Sequence, residues 1–421
     1  MPSLASRFKF RASFNKSTGV IVLVLALLLT AFAIPVAQAQ TLTVLHTFTG
    51  GSDGGSPEAG ITFDQQGRIY GTASDHGSYS RGVVYRLVRE GESWIFSPIY
   101  SFGPRDSDGS GPYARVIFGP DGLLYGTTFY GGTSGSGAGY GTVFSLRPPA
   151  IACMAALCPW VETILYSFKG TDGAYPFLGD VSFDRAGNIY GTTFNGGTSG
   201  HGVVYKLTRS GSGWVESVLW NFTDSIDGGE PLSGVIFDSA GNLYGTTAYG
   251  GSGGLGTVYE LSPTQSGWNE TTLHSFTDSD NGGGAGGLVV DAHGNLFGIA
   301  GNSLAGAAYE LTPQNGSWSF SLLHTFTGSP LGPLAAPTFD SQGNLYGPLP
   351  DGGSGNAGEI FKLSGNQWIY SSFYQFDSCN NGRGCVPIGA VAFDASGNMY
   401  GTTIRGGSSE NSPGVVWELT P

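Results

Sequence analysis

Gly234-Val235-Ile236-Phe237-Asp238-Ser239-Ala240-Gly241-Asn242-Leu243-Tyr244-Gly245-Thr246-Thr247 decides how the rest of this 421-residue chain is read. Gly234 to Asp238 predicts a strand, Ser239 to Asn242 a turn, and Leu243 to Thr247 a second strand. A glycine-rich loop, Tyr249 to Gly256, leads to a third strand at Thr257-Val258-Tyr259-Glu260-Leu261. After a turn at Ser262 to Gly267, Trp268 opens a fourth strand that ends at Leu273-His274-Ser275-Phe276. Four strands joined by short hairpins make one propeller blade.

The phrase recurs. Its tyrosine position reads Tyr70, Tyr125, Tyr190, Tyr244, Phe297, Tyr346 and Tyr400, with spacings of 55, 65, 54, 53, 49 and 54. A period near 50 residues predicts an all-β, seven-bladed propeller of four-stranded blades. The longest spacing reflects an insertion around Arg147 to Pro159. The fourth-strand tryptophan occurs six times (Trp94, Trp160, Trp214, Trp268, Trp318, Trp368), and the seventh copy stops after its third strand, Val415 to Leu419. An orphan fourth strand lies at the other end, Thr41 to Phe48. Pairing it into the last blade closes the ring and removes two exposed sheet edges. Phe237, in the repeat core, is expected to be a packed aromatic.

The first 39 residues read as a signal peptide. Arg7, Lys9, Arg11 and Lys16 precede the apolar run Val20 to Ile34, and Ala37-Gln38-Ala39 is a cleavage pattern. The run is short for a bilayer span. The remaining chain, 40–421, is expected to be one domain, secreted or periplasmic and monomeric. Removing a leader with four basic and no acidic residues takes the net charge from −13 to −17. So acidic a surface repels phosphate backbones, which excludes nucleic acid as a partner. Composition excludes disorder too: aromatics are 13% and charged residues only 12%, with 72 glycines for tight turns.

The four cysteines form two close pairs. Cys153 with Cys158, and Cys379 with Cys385, read as two local disulfides of an exported protein, with zinc as the alternative. No metal site is expected, although Asp106-Ser107-Asp108-Gly109-Ser110-Gly111 and Asp278-Ser279-Asp280-Asn281-Gly282 resemble the start of a calcium loop without its closing acid.

Together, Gly-Asn-Leu-Tyr-Gly-Thr-Thr, the Gly-Gly loop and Gly-Thr-Val-Tyr-Glu-Leu resemble the Gloeo-Verruco (GloVer) tandem-repeat proteins over essentially the whole chain after the leader. The resemblance implies an exported bacterial repeat protein and carries no activity with it. Those proteins often end in an anchoring segment, whereas this sequence ends at Thr420-Pro421, which points to free secretion.

Two loops per copy share one face. In the Thr-Thr-x-x-Gly-Gly loop one column varies, reading Asp75, Tyr130, Asn195, Tyr249, Asn302, Asp351 and Arg405. Variation confined to one column of a repeated scaffold marks candidate ligand-binding residues, with solvated loop tips as the plain alternative. Tyrosines could stack on sugar rings while Asp, Asn and Arg bond hydroxyls. In the second loop, Asp53-Gly54, Asp108-Gly109, Asp172-Gly173 and Asp227-Gly228 read as structural turns. His46, His274 and His324 share a column with Tyr100, Tyr166, Trp220 and Tyr374, expected to be aromatic packing. No catalytic residue is identified: His-Glu-x-x-His, a phosphate-cradling loop and a sialidase Asp box are missing. Three functions stay open: a binding propeller for a glycan or another envelope component, a channel-sited lyase or hydrolase, and a structural or protein–protein interaction module; the partner is then a glycan or an extracellular protein.

Overall fold

The computed structural model describes residues 40–103, 105, 107–133, 138–149, 160–301, 305–327, 334–353, 355–407 and 412–420. Seven four-stranded antiparallel sheets form the blades of a propeller. The fourth blade has strands Ile236–Phe237, Leu243–Thr246, Thr257–Thr264 and Gly267–Ser275, from channel to rim. Its inner strand is shorter than expected, with two residues in regular pairing.

The two disulfides expected from the sequence differ in outcome. Cys379 and Cys385 are bonded to each other. Cys153 and Cys158 lie outside the described residues, so their bond is not among those observed; the leader lies outside them as well.

The ring closes as the sequence predicts. Thr41–Thr47 pairs antiparallel with Val415–Thr420, setting Leu42 against Leu419 and Val44 against Trp417. The Phe48 N–H then donates to the Gly414 carbonyl at 3.0 Å. Every outer strand carries a bulge at the same place, at Leu273 opposite Val258 and Tyr259 in the fourth blade, which increases its twist.

The repeated phrase is explained residue by residue. Asp238 accepts the N–H groups of Ala240 and Asn242 on Oδ1, at 2.8 and 2.9 Å. Its Oδ2 accepts from Asn242 Nδ2 at 2.8 Å and the Tyr244 hydroxyl at 3.2 Å. Asp184, Asp340 and Asp394 repeat this set with their own Asn and Tyr. The glycine after the tyrosine makes room for the aromatic of the third strand: a Cβ on Gly245 would collide with Tyr259, and one on Gly401 with Trp417.

The first threonine of Gly-Thr-Thr stitches four of the blades to the next. Thr72 donates to the Ala114 carbonyl at 2.9 Å, Thr192 to Ser233 at 2.7 Å and Thr246 to Gly286 at 3.0 Å. Thr402 reaches Ala59 at 2.8 Å, across the closure of the ring. The second threonine caps the variable loop, Thr128 on the Tyr130 carbonyl and Thr247 on that of Tyr249.

The Asp-Gly turns are braces, as read. Asp227 accepts from the Thr223 N–H and the Trp220 indole; Asp53 accepts from Thr49 and faces His46 at 3.2 Å. Asp280, in the calcium-like fragment, spends its carboxylate in the same way on His274 and Thr277. Asp106 of the other fragment is outside the described residues. The seventh blade has Arg383 where five others have an Asp, and there the Cys379–Cys385 disulfide ties the loop that Asp53, Asp227 and Asp280 tie in their blades.

Candidate functional site at the channel mouth

The inner strands of all seven blades enclose a cavity of about 470 Å³ along the propeller axis. Its waist is one repeat column: Gly60, Arg115, Asp180, Gly234, Gly287, Ala336 and Ala390. Side chains are small there because neighbouring strands approach backbone to backbone; a Cβ on Gly60 would collide with the Ala390 carbonyl, and one on Gly234 with that of Asp180. The two exceptions pair with each other. Arg115 donates from Nε and Nη2 to Asp180 Oδ2, at 2.9 and 2.7 Å, and its backbone N–H donates to Oδ1. Towards the far end lie Ile117, Phe183 and Phe237. Phe237 is half-buried rather than a sealed core aromatic, because it lines this cavity.

At the mouth the wall consists of Glu58, Tyr113, Leu178, Leu334 and Ile388. Among these the one carboxyl is Glu58. Burial among apolar neighbours pushes its pKa up to about 7, against a hydrogen bond from Ser74 Oγ at 3.1 Å and with the charge of Asp75 adding to the rise. Burial also pushes the Tyr113 phenol up to about 12, with Glu58, Asp75 and Tyr130 contributing.

Tyr113 belongs to an aromatic cluster spread over the second and third blades. It meets Phe129 edge-on at 5.5 Å and Phe177 at 5.0 Å. Phe129 stacks on Tyr175 at 5.0 Å, and Tyr130 lies 5.8 Å from Tyr175. Tyr140 and Phe194 extend the cluster at its edges. Tyr130 is exposed, and Tyr113, Phe129, Tyr175 and Phe177 are half-buried. Tyr175 has φ +59°, a conformation costly for a side chain with Cβ. It is held by a 2.8 Å bond from its N–H to the Tyr140 carbonyl and by the Phe194 N–H donating to its own carbonyl. Such fixed strain presents its ring at a set place on the loop face.

Five of the residues singled out from sequence share one backbone geometry. Asp75, Asn195, Tyr249 and Arg405 each bridge antiparallel to the Asp-Gly loop, at Gly55, Ala174, Gly229 and Cys385; Tyr130 pairs with Ser110. Asp75, Tyr130, Tyr249 and Arg405 are exposed, and Asn195 and Asp351 are half-buried. Asn302 lies outside the described residues. None of the six described residues lines the cavity. Two of them stand beside its mouth: Tyr130 packs on Phe129, which meets Tyr113, and Asp75 follows Ser74, which donates to Glu58.

Sequence reasoning missed Glu58, Tyr113, Arg115 and Asp180. The signal was available: in the waist column, one Arg and one Asp stand among Gly and Ala. The third blade also takes 12 positions from Asp172 to Asp184, where the first takes 11 from Asp53 to Asp64. Beside that longer connection the Thr127 hydroxyl, equivalent to Thr72, is buried without a hydrogen-bond partner among the described residues.

Residues 30–157 and 138–332 match the Gloeobacter/Verrucomicrobia repeat. No curated protein matches the chain in sequence. Among solved structures, the extracellular domain of a one-component system from B. thetaiotaomicron is 10% identical, with a TM-score of 0.53. The match covers 89% of this chain and 40% of that one, and it shows the fold alone. The PQQ-bound aldose sugar dehydrogenase from Streptomyces coelicolor is 13% identical with a TM-score of 0.44, over 90% of this chain and 98% of that one.

Proposed function

We propose a function for a chain that belongs to the Gloeobacter/Verrucomicrobia repeat family: an exported propeller that binds a glycan at its channel mouth. One observation carries this reading. Tyr113, Phe129, Tyr130, Tyr175 and Phe177 form a continuous, partly exposed ring surface beside a cavity with a carboxyl at its lip. Sugar rings present C–H faces that stack on aromatics and hydroxyls that bond carboxyl and phenol oxygens. Rigid blades hold the loops in place, so little ordering opposes binding. The disulfide Cys379–Cys385 suits an oxidising compartment.

A glycan array probed with the protein tests this reading. Binding to a defined set of oligosaccharides, lost in Tyr113→Ala/Phe177→Ala, is the expected result. An array without signal contradicts it.

A second reading, a hydrolase or lyase sited in the channel, is favoured by Glu58, whose proton is poised near neutrality beside Asp75. Its test is product formation from any array hit, abolished in Glu58→Gln; intact glycan after long incubation removes it.

A further inference from the structure

We infer that the channel mouth selects a glycan bearing a free, protonated amine. This inference rests on the glycan-binding reading and adds the chemical class of the sugar. Three observations converge. Aromatic faces carry negative electrostatic potential, and several partly exposed rings are gathered here around Tyr113 and Phe129, so that a cation reaching an uncovered face is attracted to it. Two carboxyl groups flank those rings: Glu58 in the wall of the mouth and Asp75 exposed on the adjoining loop, both acting on the Tyr113 phenol. The cationic side chain among the cavity-lining residues, Arg115, is engaged by Asp180 through two guanidinium bonds, so no cation in that lining is left to face Glu58.

A neutral sugar would meet these rings without answering the charge. An amino sugar answers both, placing its ammonium between the carboxyl groups and the ring faces. Bringing a cation to Glu58 also draws its proton off, because an adjacent positive charge favours the carboxylate. The chain's net charge of −13 steers cations towards the protein in general, and the mouth supplies the specific contact.

The experiment is calorimetric titration of the protein with three probes: a glucosamine tetrasaccharide with free amines, its fully N-acetylated counterpart, and benzyltrimethylammonium as a cation without a sugar. The free-amine sugar is expected to bind about tenfold more tightly than the acetylated one at low salt. Glu58→Gln/Asp75→Asn should bring the two affinities together, while Glu92→Gln, on a remote exposed hairpin, keeps the preference. Equal affinity of the wild type for both sugars overturns the amine inference and leaves glycan binding standing. Binding of benzyltrimethylammonium without either sugar keeps the cation site and contradicts glycan recognition. Binding of none of the three contradicts both.

Discussion

Arg115 and Asp180 join the second and third blades across the channel wall, with Arg115 Nε and Nη2 converging on one carboxylate oxygen. Each side chain is 31% exposed, so water shares the pair and weakens it relative to a buried one. Asp180→Ala is expected to cost about 2 kcal/mol, since it strips three donors of a charged acceptor. Arg115→Ala should cost a similar amount, and the double variant about 1 kcal/mol less than their sum. Urea denaturation of the four proteins measures this; strictly additive costs would show that the two residues do not couple.

A second relationship concerns adjacent outer strands. Where one blade offers His, its neighbour offers an aromatic: His46 stacks on Phe96 at 3.7 Å, His274 on Phe320 at 3.7 Å and His324 on Tyr370 at 4.3 Å. Where the blade offers Tyr100, Tyr166 or Trp220, the matching residue is Glu162, Glu216 or Glu270, while for Tyr374 it is Leu42 of the closing strand; Tyr100 donates to Glu162 at 2.7 Å. Tyr100→His alone should destabilise, because it removes a charge-assisted hydrogen bond. Tyr100→His/Glu162→Phe should recover most of the loss by recreating the His46–Phe96 pair. A double variant no more stable than the single one would refute the pairing rule.

These glutamates make stability depend on pH. Burial pushes Glu162, Glu216 and Glu270 up to about 7 from an ordinary 4.5. Each then binds its proton more tightly folded than unfolded, so its contribution is complete below pH 4.5 and is lost as pH rises to 7. His46, His274 and His324, lowered by burial, act in the opposite sense, favouring the fold as pH rises towards 6.5. The contrast between proteins isolates the glutamates. The Tm of Glu162→Gln/Glu216→Gln/Glu270→Gln relative to wild type should gain about 3 °C or more between pH 5 and pH 8. A difference independent of pH would show that these carboxyls do not titrate in that window.

Deleting residues 41–48 reopens the ring. It removes the pairing of Thr41–Thr47 with Val415–Thr420 and the fully packed Phe48. The expected cost exceeds about 4 kcal/mol, the range of disruptive changes. Thermal unfolding by circular dichroism reads it directly, and an unchanged Tm would contradict closure by the two chain ends.

The fold was legible because its signals repeat. A carboxylate that caps its own turn, as Asp238 does, writes Asp-x-x-Gly-Asn-x-Tyr into four of the seven copies, and Gly245 must be small beneath Tyr259. The orphan strand at Thr41 was legible for a complementary reason: the last copy lacks what it supplies. The site was less so. Loop position identified the column of Asp75 and Tyr130, but repeats cannot say which of seven equivalent loops meets a partner. That depends on neighbours from other blades. Tyr113 and Tyr175 are separated by 62 positions in sequence and joined through Phe129 in space. Glu58 escaped notice because its raised pKa comes from burial, at a channel mouth to which Leu178, Leu334 and Ile388 are each contributed by a different blade.

Tyr130 and Tyr249 share one repeat column, and both are exposed, at 39% and 52%. Only Tyr130 sits in the aromatic cluster at the channel mouth. The most direct measurement is therefore the affinity of a bound oligosaccharide for Tyr130→Ala and for Tyr249→Ala, each against wild type by calorimetry. The account predicts at least about a tenfold loss for Tyr130→Ala and wild-type affinity for Tyr249→Ala. Equal affinities in the two variants, whether both weakened or both intact, would contradict a site at the channel mouth.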